Sequence, residues 1–149
     1  MNTRCDYDMD CKFCKIARGE SATTRYRYQS KNALVIDDYS PKAHYHYLCI
    51  PKIHIRNMTY LSPRDIPLLE EMWECANAVL NQLHPGTNQF LVGFHHPPYN
   101  SEHHLHLHII GPASQAETHY LFRYPVFQPL DVVLAKMNTT RSDRQTECT

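Results

Sequence analysis

The sequence predicts an α+β domain built on a mainly antiparallel sheet, and three observations carry that prediction. Two stretches rich in β-branched and aromatic residues, 25–50 and 89–110, flank a single long run of helical spacing. The second stretch ends in Ser101-Glu-His-His-Leu-His-Leu-His-Ile-Ile-Gly111, where imidazoles and aliphatics alternate with the period of a strand. At 149 residues the chain amounts to about one domain, long enough to bury a core without disulfide staples.

In chain order, residues 1–10 read as a flexible lead-in, 11–137 as the folded unit, and 138–149, rich in Thr, Arg, Asp and Gln, as a disordered tail. Arg25-Tyr-Arg-Tyr-Gln and Ala33-Leu-Val-Ile-Asp, joined by Ser30-Lys-Asn32, predict a hairpin. Tyr45 to Ile50 predicts a third strand, ended by Pro51. Ser62-Pro63-Arg-Asp65 supplies a capping hydroxyl, a first-turn proline and a first-turn acid. Ile66, Leu69, Met72, Trp73, Ala76, Val79, Leu80 and Leu83 then follow at helical spacing, until His84-Pro85-Gly86 stops the helix. Met72 and Trp73 are read as core. Gln89 to Phe94 predicts the fourth strand, and a turn at Pro97-Pro98 leads into the strand His104–Ile110, closed by Gly111-Pro112.

In that last strand His104, His106 and His108 share one face, with Leu105, Leu107 and Ile109 on the other. Rings on one face stand roughly 7 Å apart, close enough for neighbours to converge on one small anion. A loose metal-binding tract is the bland alternative, but such a tract has no need of an aliphatic at every second position. Neutral imidazole attacks phosphorus when one ring nitrogen is held as a donor, so that the other presents its lone pair. A second ring can then donate to the phosphate oxygens, and a hydroxyl such as Ser101 can protonate the leaving group.

Three further features bear on the ligand. Asp37-Asp-Tyr-Ser-Pro41 either holds a ribose by a carboxylate or is a side-chain-capped turn; the local sequence favours neither. His46, between Tyr45 and Tyr47, faces either a core or a site. Cys11-Lys-Phe-Cys14 has the spacing of half a zinc site, with His54 and His104 as candidates for the other half, although two packed thiols would look the same. Redox chemistry of the thioredoxin kind is less attractive, since no strand precedes the motif.

Lys plus Arg equals Asp plus Glu, so there is no overall basic field to grip a nucleic acid, and phosphate recognition has to be local. The polar N-terminus lacks the apolar core of a signal peptide, and no run reaches the length of a membrane span. The expectation is a soluble protein of the cytoplasm, with the nucleus also open to it, whose six cysteines are free thiols or metal ligands and which has no membrane contact.

The segment His104-Leu-His-Leu-His-Ile-Ile110 resembles the signature of the histidine triad nucleotide-binding family. Cys11 to Glu20 resembles the family's opening, Asp38-Tyr-Ser-Pro41 its ribose-binding turn, and His46 to His54 its central strand. The resemblance covers nearly all of residues 11–112, and it implies a five-stranded antiparallel sheet with one long and one or two short helices. Gly93-Phe-His-His-Pro-Pro-Tyr99 is most similar to the third type of the Hint branch, the adenosine 5'-monophosphoramidases. That implies hydrolysis of a P–N bond between AMP and an amine, aminoacyl-adenylates included, through a nucleotidyl-histidine.

The resemblance makes His106 the nucleophile, His108 and His46 phosphate contacts or orienters, and His104 a catalytic member of the triad as well as a zinc candidate. It makes Asp38 and Tyr39 nucleoside contacts and puts Ser101 at the leaving group. Gly93, Phe94, His95, His96, Pro97, Pro98 and Tyr99 would line the nucleotide site. Cys11, Cys14, His54 and His104 match the zinc ligands of some members, so Zn2+ is the one cofactor expected and no organic one is. A homodimer or higher homo-oligomer is implied as well. Yet the Gly-rich loop of the first Hint type is replaced by His95 to Asn100, and Leu121 to Phe127 lacks that type's tryptophan-bearing tail, which opens a different subunit arrangement.

Two alternatives stand beside this reading. Pro41-Lys-Ala-His-Tyr-His-Tyr47 also resembles aprataxin-like deadenylases of adenylated nucleic-acid ends, but the chain has no second Cys/His finger and no basic surplus. A non-catalytic nucleotide- or zinc-binding module could use the same imidazoles without turnover.

Overall fold

The structure is a computed structural model that describes residues 4–5, 10–87 and 89–147, with only the backbone described for 4–5 and 141–147. Most of the expected flexible lead-in, residues 1–3 and 6–9, lies outside the described residues. The elements run β1 (Arg4–Cys5), α1 (Lys12–Ala17), β2 (Tyr26–Gln29), β3 (Ala33–Asp37), β4 (Tyr45–Pro51), β5 (His54–Ile55), α2 (Ile66–Leu83), β6 (Leu91–His95), β7 (Leu107–Gly111), α3 (Ala113–Ala116), β8 (Phe127–Pro129) and α4 (Leu130–Glu147).

A six-stranded sheet in the order β2-β3-β4-β7-β6-β8 forms the centre, every neighbouring pair antiparallel, and β1 pairs with β5 apart from it. The expected count of five strands is corrected by β8. Its prolines, Pro125 and Pro129, hide it in the sequence, but at the sheet's edge a missing N–H costs no ladder bond.

Strand alternation gives the sheet two unlike faces. Val35, Cys49, Leu107 and Ile109 point to one side and pack with Met72, Ala76 and Val79 of α2 and Leu130, Val133 and Met137 of α4. Full burial of side chains such as Leu69 and Met72 contributes about 1.5–3 kcal/mol each. On the other side Leu34, Ile36, Leu48 and Ile50 meet Phe13 and Ile16 of α1, and Ile110 meets Ala116, Phe122 and Phe127.

Helix α2 begins as the sequence predicts, after a 3-10 turn at Pro63–Asp65 in which the Asp65 carboxylate accepts the Ser62 N–H at 2.9 Å. Met72 is core, whereas Trp73 is 40% exposed, a correction to its expected burial. A single long helix was expected, and α4 is a second. The disordered tail read over 138–149 meets this helix up to Glu147, with 148–149 outside the described residues. Three buried anchors, Leu130, Val133 and Met137, dock its first turns, and the Thr139 and Thr140 hydroxyls donate to carbonyls one turn back, at Ala135 and Lys136. Among the described residues no helix is long and apolar enough to cross a membrane.

Candidate active site

The three histidines reach one face of the sheet in two different ways. The strand begins at Leu107, later than the predicted start at His104: its pairing with β4 ends at Cys49, opposite Leu107. Residues 104–106 precede the strand, and the Leu105 N–H donates to the Ile55 carbonyl at 2.6 Å. Alternation survives, with Leu105, Leu107 and Ile109 in the core and all three imidazoles on the α1 face.

Partners at each ring nitrogen fix the proton positions. The Lys42 backbone N–H donates to His46 Nδ1 at 3.0 Å, so His46 carries its hydrogen on Nε2. That hydrogen faces His108 Nδ1 at 2.8 Å and Asp38 Oδ2 at 3.3 Å. His108 therefore accepts at Nδ1 and keeps its N–H on Nε2, a buried atom without a protein partner. His106 donates from Nδ1 to the His104 carbonyl at 2.7 Å, which leaves its Nε2 lone pair unprotonated.

Burial keeps these rings neutral at neutral pH. It pushes His46 down to about 3, helped by Lys42 and His106, and His95 down to about 4. It holds His108 well below the ordinary histidine value. His106 is lowered too, against the opposing pull of the His104 carbonyl, Asp38 and Glu102. Burial raises the Asp38 carboxyl, while the Ser40 N–H donating to Oδ1 at 2.7 Å works the other way.

His106 and His108 stand in the wall of a pocket of about 720 Å3. Phe13, Ile16, Ile36 and Leu48 give it an apolar floor, and Asp38 and Ser101 add polar groups. Tyr39 is 91% exposed at its rim, with Lys12 Nζ 5.1 Å from the ring centroid. Of the two readings of the Asp37–Pro41 turn, the capped turn is present: Asp38 Oδ1 accepts the Ser40 N–H, and Oδ2 faces His46 Nε2 at 3.3 Å.

Other expected nucleotide contacts sit elsewhere. His46 lies behind His108 as its orienting partner. Gly93, opposite His108 in the ladder, has no room for a Cβ, which would meet the Gln128 carbonyl and the Phe127 ring. Phe94 is fully buried core, and His95 is buried beside His108 with ring centroids 4.4 Å apart. His96, Pro98 and Tyr99 are exposed on the following turn and, with Pro97, are not among the residues lining the pocket. Sequence reasoning missed the floor, Phe13 and Ile16. Their i, i+3 spacing was the available signal, but a six-residue helix is too short to show it well.

A second cluster lies beside the first. Cys11 caps α1, its Sγ accepting the Cys14 N–H at 3.4 Å, so both thiols emerge at the helix start. His104 Nδ1 is 3.2 Å from Cys11 Sγ, 3.5 Å from Cys14 Sγ and 3.2 Å from His54 Nδ1, while Cys14 Sγ is 3.4 Å from His54 Nδ1. The Pro51 carbonyl takes the His104 Nε2 hydrogen at 3.0 Å, which turns the Nδ1 lone pair inward. All four ligand atoms lie within 4.8 Å of one another. Donors around a tetrahedral zinc stand about 3.3–3.8 Å apart, given bond lengths of about 2.0–2.3 Å, so the set fits that ion in donor type and spacing.

Comparison with known proteins places this arrangement. Residues 10–120 match the family described as "Scavenger mRNA decapping enzyme C-term binding". The chain is similar to "Adenosine 5'-monophosphoramidase HINT3" of Xenopus tropicalis, 33% identical over 110 residues that cover 73% of this chain and 72% of the relative. The protein of the same name from Danio rerio is 38% identical over 109 residues, 72% of this chain and 68% of the relative. Among solved structures, the "HIT family hydrolase from Clostridium thermocellum Cth-393" superposes with a TM-score of 0.65 at 27% identity, covering 70% of this chain and 91% of that one.

Proposed function

The chain belongs to the histidine triad (HIT) family, and from that premise we propose that it hydrolyses adenosine 5'-monophosphoramidates, releasing AMP and an amine. The observation that carries the reading is the His106 tautomer. A neutral imidazole, its Nδ1 hydrogen tied to the His104 carbonyl at 2.7 Å, presents a lone pair in the wall of a nucleotide-sized pocket.

His106 Nε2 attacks the α-phosphorus and the P–N bond breaks. The electron pair leaves with the amine nitrogen, which takes the Ser101 hydroxyl proton, and Ser101 regains a proton from the water that later attacks phosphorus. His108 Nε2–H donates to a phosphoryl oxygen, and His46 keeps that hydrogen in place from behind, itself braced by Lys42 and Asp38. Water then breaks the P–Nε2 bond, returning neutral His106 and AMP. The apolar floor takes the purine, and Asp38 the ribose.

Cys11, Cys14, His54 and His104 would hold a zinc ion with four protein ligands, a closed set that supplies folding energy and leaves no position for substrate.

With His106→Asn, turnover of an AMP-amine conjugate should fall by about 10^4-fold or more, while AMP binding stays within a few-fold by calorimetry. Retained turnover would remove the proposal. The deadenylase alternative is tested with an adenylated 5'-phosphate DNA end beside the phosphoramidate, which should be cleaved far faster.

A further inference from the structure

Among the acids lining the large pocket, Glu20 pairs with Arg18 and Asp37 with Arg27, and Asp38 has its place in the proposed chemistry, whereas Glu102 is left without a task. It stands next to Ser101 in the wall of the large pocket. Glu102 and His106 are also the two residues shared between that pocket and a small one of about 10 Å3, which Arg56, Asn57 and Asn100 help to line. The Glu102 backbone carbonyl accepts from Asn100 Nδ2 at 3.1 Å, fixing the turn. Its carboxylate is half-buried and has neither hydrogen bond nor ion pair among the described residues; Arg56 shares the small pocket without pairing with it.

An unpaired carboxylate beside the group that attacks phosphorus opposes the approach of any anionic phosphate. Lys12 and Lys15 of α1 and Arg25 line the same large pocket, but Lys12 sits over Tyr39 and none of the three is paired with Glu102. A solvated surface acid would carry no such penalty, because it would not face the site. The cost is offset when the substrate itself brings a cation to this end of the pocket.

We propose that Glu102 is a specificity-determining residue for the leaving group, selecting AMP conjugates whose amine carries a second, cationic group. The inference rests on the phosphoramidase reading and adds to it the charge of the amine. A phosphoramidate nitrogen is itself uncharged, so the cation lies further along the amine. The small pocket has room for about one water, so the ammonium group stands in the open mouth, alongside the carboxylate.

The test uses two conjugates of equal length, AMP joined through nitrogen to 1,5-diaminopentane and to n-hexylamine. The wild-type protein should prefer the diamine conjugate by about tenfold in kcat/KM, mainly through KM, and the preference should shrink as salt rises. Glu102→Gln should bring the ratio close to one, and Glu102→Lys should invert it. A wild-type ratio near one, or an unchanged ratio in Glu102→Gln, overturns the assignment while leaving the phosphoramidase reading intact. If wild type hydrolyses neither conjugate, that reading fails and this one falls with it.

Discussion

Two groups of buried imidazoles lie side by side on this sheet and have opposite chemistry. In the group of Cys11, Cys14, His54 and His104, the lone pairs point at one another and the set is closed by four protein ligands. In the group of His46, His106 and His108, each ring passes its hydrogen to a fixed partner or keeps it toward the pocket, and the His106 lone pair stays unprotonated. Burial is similar in both, since His104 is 1% exposed and His106 6%. What separates them is the partner on the second ring nitrogen. A carbonyl on Nε2 turns His104 inward to sulfur, and a carbonyl on Nδ1 turns His106 outward to the pocket. His104 joins the groups, its ring serving one and its backbone carbonyl the other.

The largest break in this comparison should come from Cys14→Ser. Removing one ligand of a structural ion should cost about 4 kcal/mol and lower Tm by about 8–16 °C. Metal analysis should show about one zinc per wild-type chain and far less in the variant. Activity per folded molecule should fall less steeply than stability, because the His104 carbonyl is only indirectly disturbed. Equal melting of the two proteins, with no zinc in either, would reduce the closed group to four packed polar side chains.

The legibility of the two groups differed for physical reasons. Alternation from His104 to Ile109 needs only the two-residue period of a strand, and it survives even though the ladder starts at Leu107. The Cys11-x-x-Cys14 spacing was legible because a helix start places both thiols on one side. Which nitrogen carries a proton was not, because it depends on Lys42 N–H, Pro51 O and His104 O, and backbone groups leave no mark on residue identity. In the segment Gly93–Tyr99 the structural demands on single residues were not legible. Gly93 is required by close backbone packing and Phe94 by the core, neither of which is visible as pocket contact. Polarity hid α4, since three buried anchors are enough to dock a helix whose remaining turns are hydrophilic.

A smaller effect sharpens the contrast from the other side. His46→Leu leaves His108 Nδ1 and the Lys42 N–H unpaired and frees the His108 hydrogen to move between its nitrogens. We expect kcat for an AMP-amine conjugate to fall about 10^2-fold, the usual size for one misdirected donor at an oxyanion. Stability should drop by only about 1–2 kcal/mol. Cys14→Ser and His46→Leu should therefore separate on a plot of activity against Tm, the first moving mainly along stability and the second mainly along rate. Coincident behaviour would mean that the two groups act as one unit.

The smallest effect is the pH dependence of stability, and the Cys14→Ser and His46→Leu variants together assign it to one group or the other. His46 at about 3 and His95 at about 4 titrate in the folded protein well below the value of about 6.5 that they regain on unfolding. Between those limits the unfolded chain binds more protons than the folded one, so stability rises with pH through this window and is fully present above about 6.5. Lowering the pH from about 7.5 to about 6 should cost about 1.5 kcal/mol in urea unfolding from these two rings. Zinc release from His54 and His104 would produce an acid loss of the same direction, so the measurement belongs in Cys14→Ser as well as in wild type. If the slope persists in Cys14→Ser and weakens in His46→Leu, the loss belongs to the neutral imidazoles held beside the pocket. A slope that disappears in Cys14→Ser would assign it to the ligand cluster instead.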